Sequence, residues 1–300
     1  MKTLLLIISA IIPGLLSAQS FSEKITKEIQ FEKKTPASTL MILNIDGFVR
    51  VEGYSGDKVI VEVNKQIYAK TDARLERGKQ EIQLGVIDRA DTIILYVQGV
   101  CDEFGKSVGK NRNRNNNKRY GGWGYNWQNN CQGCDDDKEF DWDMDFTVKV
   151  PQGINVLAST INNGDVEVKN LTGYSSAENI NGSIRMENLS GPGTYASTIN
   201  GDVDVEYSKN PNGECRYYSL NGDVNVLFVK GLAANVGFES FNGDLYTNVS
   251  NLESLPSIMT KANKGQGVSY KLGGSRFKIG PGGPFLDFET FNGNAYIKEK

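Results

Sequence analysis

The chain has 300 residues, with 33 Lys plus Arg against 36 Asp plus Glu and no His, for a formal net charge of −3. That near-neutral balance argues against a nucleic-acid binder, and the lack of His excludes a His-based nucleophilic triad. With 33 Gly, only 8 Pro and frequent β-branched and aromatic residues, the composition points to an all-β protein rich in tight turns.

Residues 1–18 read as a secretory signal: Lys2, an apolar run from Leu4 to Ile12, then Pro13, Gly14 and the small pair Ser17 and Ala18. The run is too short to span a bilayer. Cleavage after Ala18 or after Ser20 fits, and loss of Lys2 takes the charge from −3 to −4. No later run approaches transmembrane length, so the mature chain is expected to be exported, to the periplasm, the cell surface or the medium. Residues 19–35 form a lead-in, and one domain is expected over 36–300.

Within that domain, "LNIDGFVRVEGYSGDKVIVEV" around Gly47 has a strand–turn–strand layout, and "TDARLERGKQEIQL" predicts a short helix within Thr71 to Leu84. Residues 105–138 form an insertion rich in Gly, Asn and Arg. After it, "EFDWDMDFTVKVP" alternates Phe140, Trp142, Met144, Phe146 and Val148 with Asp141, Asp143 and Asp145, an amphipathic strand.

From residue 158 one phrase recurs: "STINNGDVEV", "NINGSIRM", "STINGDVDV", "SLNGDVNV", "SFNGDLYT" and "TFNGNAYI". Its glycines are Gly164, Gly182, Gly201, Gly222, Gly243 and Gly293, spaced 18, 19, 21, 21 and 50 residues apart. A fixed turn at a period near 20 is a solenoid signature. Two and four residues after the glycine stand Val166 and Val168, Ile184 and Met186, Val203 and Val205, Val224 and Val226, which are expected to point inward. Glu167 and Lys169, Arg185 and Glu187, Asp204 and Glu206 alternate with them and point to solvent. Before the turn, Cys215, Tyr217 and Ser219 share a parity with Val236, Phe238 and Ser240 and with Leu286, Phe288 and Thr290, taken as the inner face. Ile161, Ile180, Ile199, Leu220, Phe241 and Phe291 are expected to pack at the corner. Asn-Gly suits the corner because both residues tolerate positive φ, and the following Asp can accept backbone N–H bonds. Stacked coils would pair parallel strands about 4.8 Å apart around one core.

The signal peptide, the strand–helix–strand lead-in, the "FTVKVPQGINV" strand and the "STINGDVDV" repeats together resemble the bacterial "putative adhesin" β-strand-repeat domain, related to the head domain of autotransporter adhesins. The resemblance covers roughly residues 36–297. It implies a single-stranded right-handed parallel β-helix at the bacterial envelope, and no reaction or catalytic motif. The long Arg/Asn/Trp insertion departs from that pattern.

Three features could carry chemistry. Asp165, Asp202, Asp223 and Asp244, with Ser183 and Asn294 in register, could cap turns or bind calcium; one carboxylate per coil favours capping. Glu187 and Glu206 on adjacent coils have a spacing compatible with a retaining glycosidase pair, yet the neighbouring Glu167, Arg185, Asp204 column is the alternating ladder of a solvated sheet. The insertion carries Lys106, Lys110, Arg112, Arg114, Lys118 and Arg119, then Tyr120, Trp123, Tyr125 and Trp127. Arg112, Arg114, Arg119, Tyr120, Trp123, Tyr125 and Trp127 are the candidate ligand-binding set, suited to polyanions or sugars by charge and stacking; a solvated loop is the plain alternative. Export directs that set to a glycan, lipopolysaccharide or an envelope protein rather than nucleic acid. Outward-pointing Tyr195, Tyr218, Tyr246 and Tyr296 are sugar platforms or ordinary β-surface residues.

Of the four cysteines, Cys101, Cys131 and Cys134 flank the insertion and are disulfide candidates in an exported chain; a metal site and free thiols are the alternatives. Cys215 reads as a buried thiol. No metal, cofactor or catalytic residue is assigned. The expected function is adhesion or ligand binding at the envelope without catalysis. Polysaccharide binding or cleavage, and an envelope scaffold or signalling accessory, are the alternatives.

Overall fold

The computed structural model describes residues 19–99, 139–264 and 267–300. The candidate binding residues Arg112, Arg114, Arg119, Tyr120, Trp123, Tyr125 and Trp127, the cysteines Cys101, Cys131 and Cys134, and the signal segment 1–18 lie outside the described residues.

In chain order the first elements are β1 (Gln19–Ile29), β2 (Thr39–Leu43), β3 (Val49–Tyr54), β4 (Val59–Ala69), α1 (Asp72–Glu81), β5 (Gln83–Arg89), β6 (Thr92–Gln98) and β7 (Phe140–Pro151). The repeats follow as β8 (Asn155–Ser159), β9 (Val166–Lys169), β10 (Ser175–Glu178), β11 (Ile184–Leu189), β12 (Thr194–Asn200), β13 (Val203–Tyr207), β14 (Cys215–Asn221), β15 (Val224–Phe228), β16 (Ala234–Asn242) and β17 (Leu245–Thr247). The last are β18 (Leu252–Leu255), β19 (Met259–Lys264), β20 (Gly267–Leu272), β21 (Ser275–Ile279), β22 (Phe285–Asn292) and β23 (Ala295–Glu299). The chain is all-β with one short helix among the described residues, and no described helix is long and apolar enough to cross a membrane.

Two large sheets hold these strands. Sheet A runs β1-β4-β7-β3-β9-β11-β13-β15-β23-β17, and sheet B runs β18-β21-β16-β22-β14-β12-β10-β8-β2-β6-β5. Each repeat gives the strand before its Asn-Gly turn to sheet B and the strand after it to sheet A. The middle of both sheets is parallel, as in β9–β11 and β10–β12. The alternation sorts the side chains as expected: Val166, Ile184, Met186, Val203 and Val224 have no solvent exposure, and neither do Tyr217, Ser219, Leu286 and Phe288. The inner faces form one core, in which Tyr207 stacks on Phe228 at 5.2 Å between ring centroids. Burying these side chains, at about 1.5–3 kcal/mol each, holds the two sheets together.

The order of strands corrects a simple sequential stack. β22 lies between β14 and β16, and β23 between β15 and β17. The coil of Gly293 therefore inserts between the coils of Gly222 and Gly243. The ends are antiparallel rather than coiled: β4 pairs with β7 and β1, β5 with β6, and β21 with β16 and β18. The described strands form two sheets with free edges, and no closed solenoid wall is present among them.

Beside β1, β4 and β7, α1 closes the first end. Thr71 caps it, its Oγ1 accepting from Arg74 N, and Leu75 packs into the core. Lys65, with 1% of its side chain exposed, donates from Nζ to the carbonyl of Lys79 in the last turn and lies 3.6 Å from Glu23. Burial lowers the pKa of this lysine, while Glu23 opposes the shift.

The turn glycines are required by crowding between coils. A Cβ on Gly182, Gly201, Gly222, Gly293 or Gly243 would overlap the carbonyl oxygen of the glycine in the coil before it in the stack. Gly222→Ala should therefore destabilise the protein by about 3 kcal/mol, read from urea denaturation. Gly153→Ala, whose Cβ would meet nothing nearer than Thr172 Oγ1 at 3.8 Å, should stay within about 0.5 kcal/mol of the parent.

Candidate binding surface

Three polar ladders run along the turns. The first joins Asn162, Asn181, Asn200, Asn221, Asn292 and Asn242, each side-chain amide from Asn181 onward donating to the Oδ1 of the one before it at 2.8–3.0 Å. These asparagines do not occupy positive φ; among the described non-glycine residues only Asn163, Asn170 and Asn188 do. The expected conformational reason for Asn holds at Asn163, before Gly164, and in the other turns is replaced by a ladder of side-chain amides.

The second ladder caps backbone. Asp165 Oδ1 accepts from Ser183 N, Ser183 Oγ from Asp202 N, Asp202 Oδ1 from Asp223 N, Asp223 Oδ1 from Asn294 N and Asn294 Oδ1 from Asp244 N, at 2.7–3.2 Å. The carboxylates face amides of the neighbouring coil, which is the turn-capping arrangement. The third ladder is internal. Thr160, Thr198 and Ser219 donate from their hydroxyls, and Asn179 from its amide, to the glycine carbonyl of the preceding coil. Buried turn carbonyls are satisfied in this way.

On the outer face of sheet A, Arg50, Glu167, Arg185, Asp204 and Asn225 stand in one cross-strand column. Arg50 Nε reaches Glu167 at 3.3 Å, and Asn225 donates to Asp204 at 3.0 Å. This face has a shallow depression lined by Arg185, Glu187, Asp204, Glu206, Asn225 and Lys298. It contains the carboxylate pair proposed from spacing. Glu187 pairs with Lys169 Nζ at 3.0 Å, and Glu206 with Lys300 Nζ at 2.5 Å. Each carboxylate is turned to its own lysine.

On the outer face of sheet B, Glu178 lies in register between Ser159 and Ser197. Burial alone lifts its carboxyl to about 7. Inside that sheet, Cys215 is a buried free thiol near the Tyr207 hydroxyl, and burial pushes its pKa up. Nothing in the spacing signalled Glu178, whose burial depends on what surrounds its strand.

Exposed aromatic groups gather near the C-terminal end of the stack. Phe241 and Phe291 were expected to pack at the corner. Instead they are 72% and 43% exposed, their rings stacked at 4.8 Å with 5° between planes. Ile199 of the same series is also exposed, whereas Ile161 is buried. The position before Asn follows one inward residue, as Phe291 follows Thr290, and the strand continues through it, so its alternation carries that position to the outer face. On the other side of the turn Tyr246 and Tyr296 stack at 5.2 Å, and Lys298 Nζ lies 4.8 Å from the Tyr296 ring. The result is two ring pairs, one on each side of the same turn. Such surfaces bind sugars, apolar side chains or cations through their faces.

The raised carboxyl of Glu178 gives a pH signature. An unfolded Glu titrates near 4.5 and the folded one near 7, so the folded state holds the extra proton between them. Stability should therefore fall as pH rises from about 4.5 to about 7, by up to about 3 kcal/mol. Urea midpoints across that range should show the fall in the parent and a flatter profile in Glu178→Gln.

No family model and no curated protein matches the sequence. Among solved structures the chain is similar to a "putative cell adhesion protein" from Clostridium sporogenes, with 11% identity and a TM-score of 0.39, over 93% of this chain and 100% of that one. It is also similar to a "putative adhesin" from Bacteroides fragilis, with 11% identity and a TM-score of 0.29, over 93% and 97% of the two chains. Both are too distant at these scores to establish a shared function.

Proposed function

We propose that the chain is an exported, non-enzymatic β-helix protein that acts in adhesion or ligand binding at the bacterial cell envelope. The observation that carries this reading is the pair of exposed ring stacks, Phe241 on Phe291 and Tyr246 on Tyr296, at the end of a rigid repeat. Exposed apolar surface of this kind is costly to keep and marks interaction sites. Export is supported by the signal-like residues 1–18. The non-enzymatic part is supported by Glu187 and Glu206, which are each neutralised by a lysine rather than aimed at a shared point. The β-helical description is supported by the two parallel runs of strands linked turn by turn.

The test is capture on arrays of glycans and lipopolysaccharide and on sedimented bacterial envelopes. Phe241→Ser/Tyr246→Ser should weaken capture at least about tenfold while leaving the thermal midpoint within about 2 °C, because both rings are largely exposed. Unchanged capture in this variant, with loss on deletion of residues 106–130, would move the binding surface to the insertion. Polysaccharide turnover that disappears in Glu187→Gln or Glu206→Gln would replace binding with catalysis.

A further inference from the structure

The two ends of the repeat array differ in how they stop. At the first end the edge strand of sheet A is β1, with the sequence QSFSEKITKEI. Its Glu23, Lys24, Lys27 and Glu28 place charge along the free edge, a device that discourages further strand pairing. At the other end the edge of sheet A is β17, with the uncharged sequence LYT. In sheet B the strand β21 continues beyond β16, but its pairing ends at Phe238 opposite Ser275. The backbone from Ser240 through the turn to Thr247 is an open edge among the described residues.

Every ladder of the stack ends there with a free place. In earlier coils the glycine N–H donates to the Asn carbonyl of the next coil in the stack, as Gly201 to Asn221, Gly222 to Asn292 and Gly293 to Asn242. The residue two after the glycine donates likewise, as Val203 to Asp223, Val224 to Asn294 and Ala295 to Asp244. Gly243 and Leu245 have no such acceptor among the described residues. Asn242 donates its amide to Asn292, which leaves its Oδ1 open. Asp244 receives its cap from Asn294, and its own carboxylate caps nothing among the described residues. In the inner ladder the hydroxyls reach back to the coil before, as Thr198 to Gly182 and Ser219 to Gly201, so the place left at this end is the Gly243 carbonyl, which accepts no such hydroxyl among the described residues. Phe241 and Tyr246 each stack on one ring and are otherwise largely exposed, 72% and 48%, among the described residues.

The chain itself shows what such an edge accepts. The segment Thr290–Ile297 enters the stack out of sequence, between the coils of Gly222 and Gly243, and completes each of these ladders. The match of turn and register selects the occupant, and direct continuity of the chain is not needed.

We propose that the open edge Ser240–Thr247 takes one further coil from a partner polypeptide. That coil is an extended segment of the form apolar–Asn–Gly–Asx–apolar–aromatic, added in parallel register. The proposal rests on the reading of this end as a binding surface and names its partner class. Main-chain bonds to Gly243 and Leu245 would supply affinity, and the Asn, Asx and aromatic positions would supply specificity. A second copy of the chain does not fit as a head-to-tail partner, because its first end is closed by β1, β4 and β5 and its own Asn-Gly turns are already stacked.

The probe is a labelled peptide with the sequence of residues 290–298, the counterpart of the open edge, added to the full chain. Fluorescence anisotropy gives the affinity, and hydrogen exchange locates the protected amides. The expected result is saturable binding with new protection at Gly243 to Thr247. The peptide with alanine for the glycine equivalent to Gly293 should bind at least about tenfold more weakly, because its Cβ would meet the Gly243 carbonyl as the other turn glycines' would. Asp244→Lys in the protein should weaken binding similarly, without loss of fold at this exposed position. Equal binding of both peptides, or new protection only at the strands beside β22 and β23, overturns coil addition. So does a concentration-dependent dimer that shows the same protection without peptide. No peptide binding, with glycan capture still lost in Phe241→Ser/Tyr246→Ser, overturns coil addition but leaves the binding surface standing. Loss of neither removes both readings.

Discussion

The structure depends on how closely its turns approach. Each Asn-Gly corner sits so near the last that the glycine carbonyl of one coil occupies the space where a Cβ of the next would be. Only glycine permits this contact. Once it is made, the side chains on either side of the glycine are stacked in register and can interact with their own counterparts. The Asn ladder, the capping row of Asp, Ser and Asn, and the inner row of Thr, Ser and Asn all follow from this spacing. They also satisfy backbone and side-chain groups that a buried corner would otherwise leave unpaired.

The same geometry separates structural from exposed roles within one repeat. Inward valines and aromatics build the core between the sheets, and the corner polar residues lock the coils. The outer face carries charges that pair across strands, as in Arg50 with Glu167 and Lys169 with Glu187. Exposed pairs of this kind contribute little stability individually. In the depression they leave Glu187 paired with Lys169 and Glu206 with Lys300. Among the described residues, the exposed ring stacks Phe241–Phe291 and Tyr246–Tyr296 lie where the ladders run out.

The legible part of the fold was the local part. Val166, Ile184, Val203 and Val224 announced their inward parity by simple alternation, and Asp165 to Asp244 announced a capping row by recurring after the glycine. Thr71 and the residues after it announced the helix. Less legible was the reason for asparagine, which recurs for its side-chain amide rather than for φ. Phe241 and Phe291 were misplaced because the strand runs on to the Asn, so the parity that turns Ser240 and Thr290 inward turns these rings outward. The environment of Glu178 was invisible, since desolvation is set by neighbours on other strands.

The sequence by itself determined the repeat unit, its strands, its turns and the face each side chain takes, because those depend on contacts within one coil and its period of two. Only the tertiary structure decided the order of the coils. Gly222, Gly293 and Gly243 carry nearly the same turn, so each could pair with either of the others as well as with its sequence neighbour. Which pairing forms depends on how β18 and β21 pack beside β16 and return the chain to the open slot. That is a long-range packing outcome, and near-identical repeats contain no local signal for it.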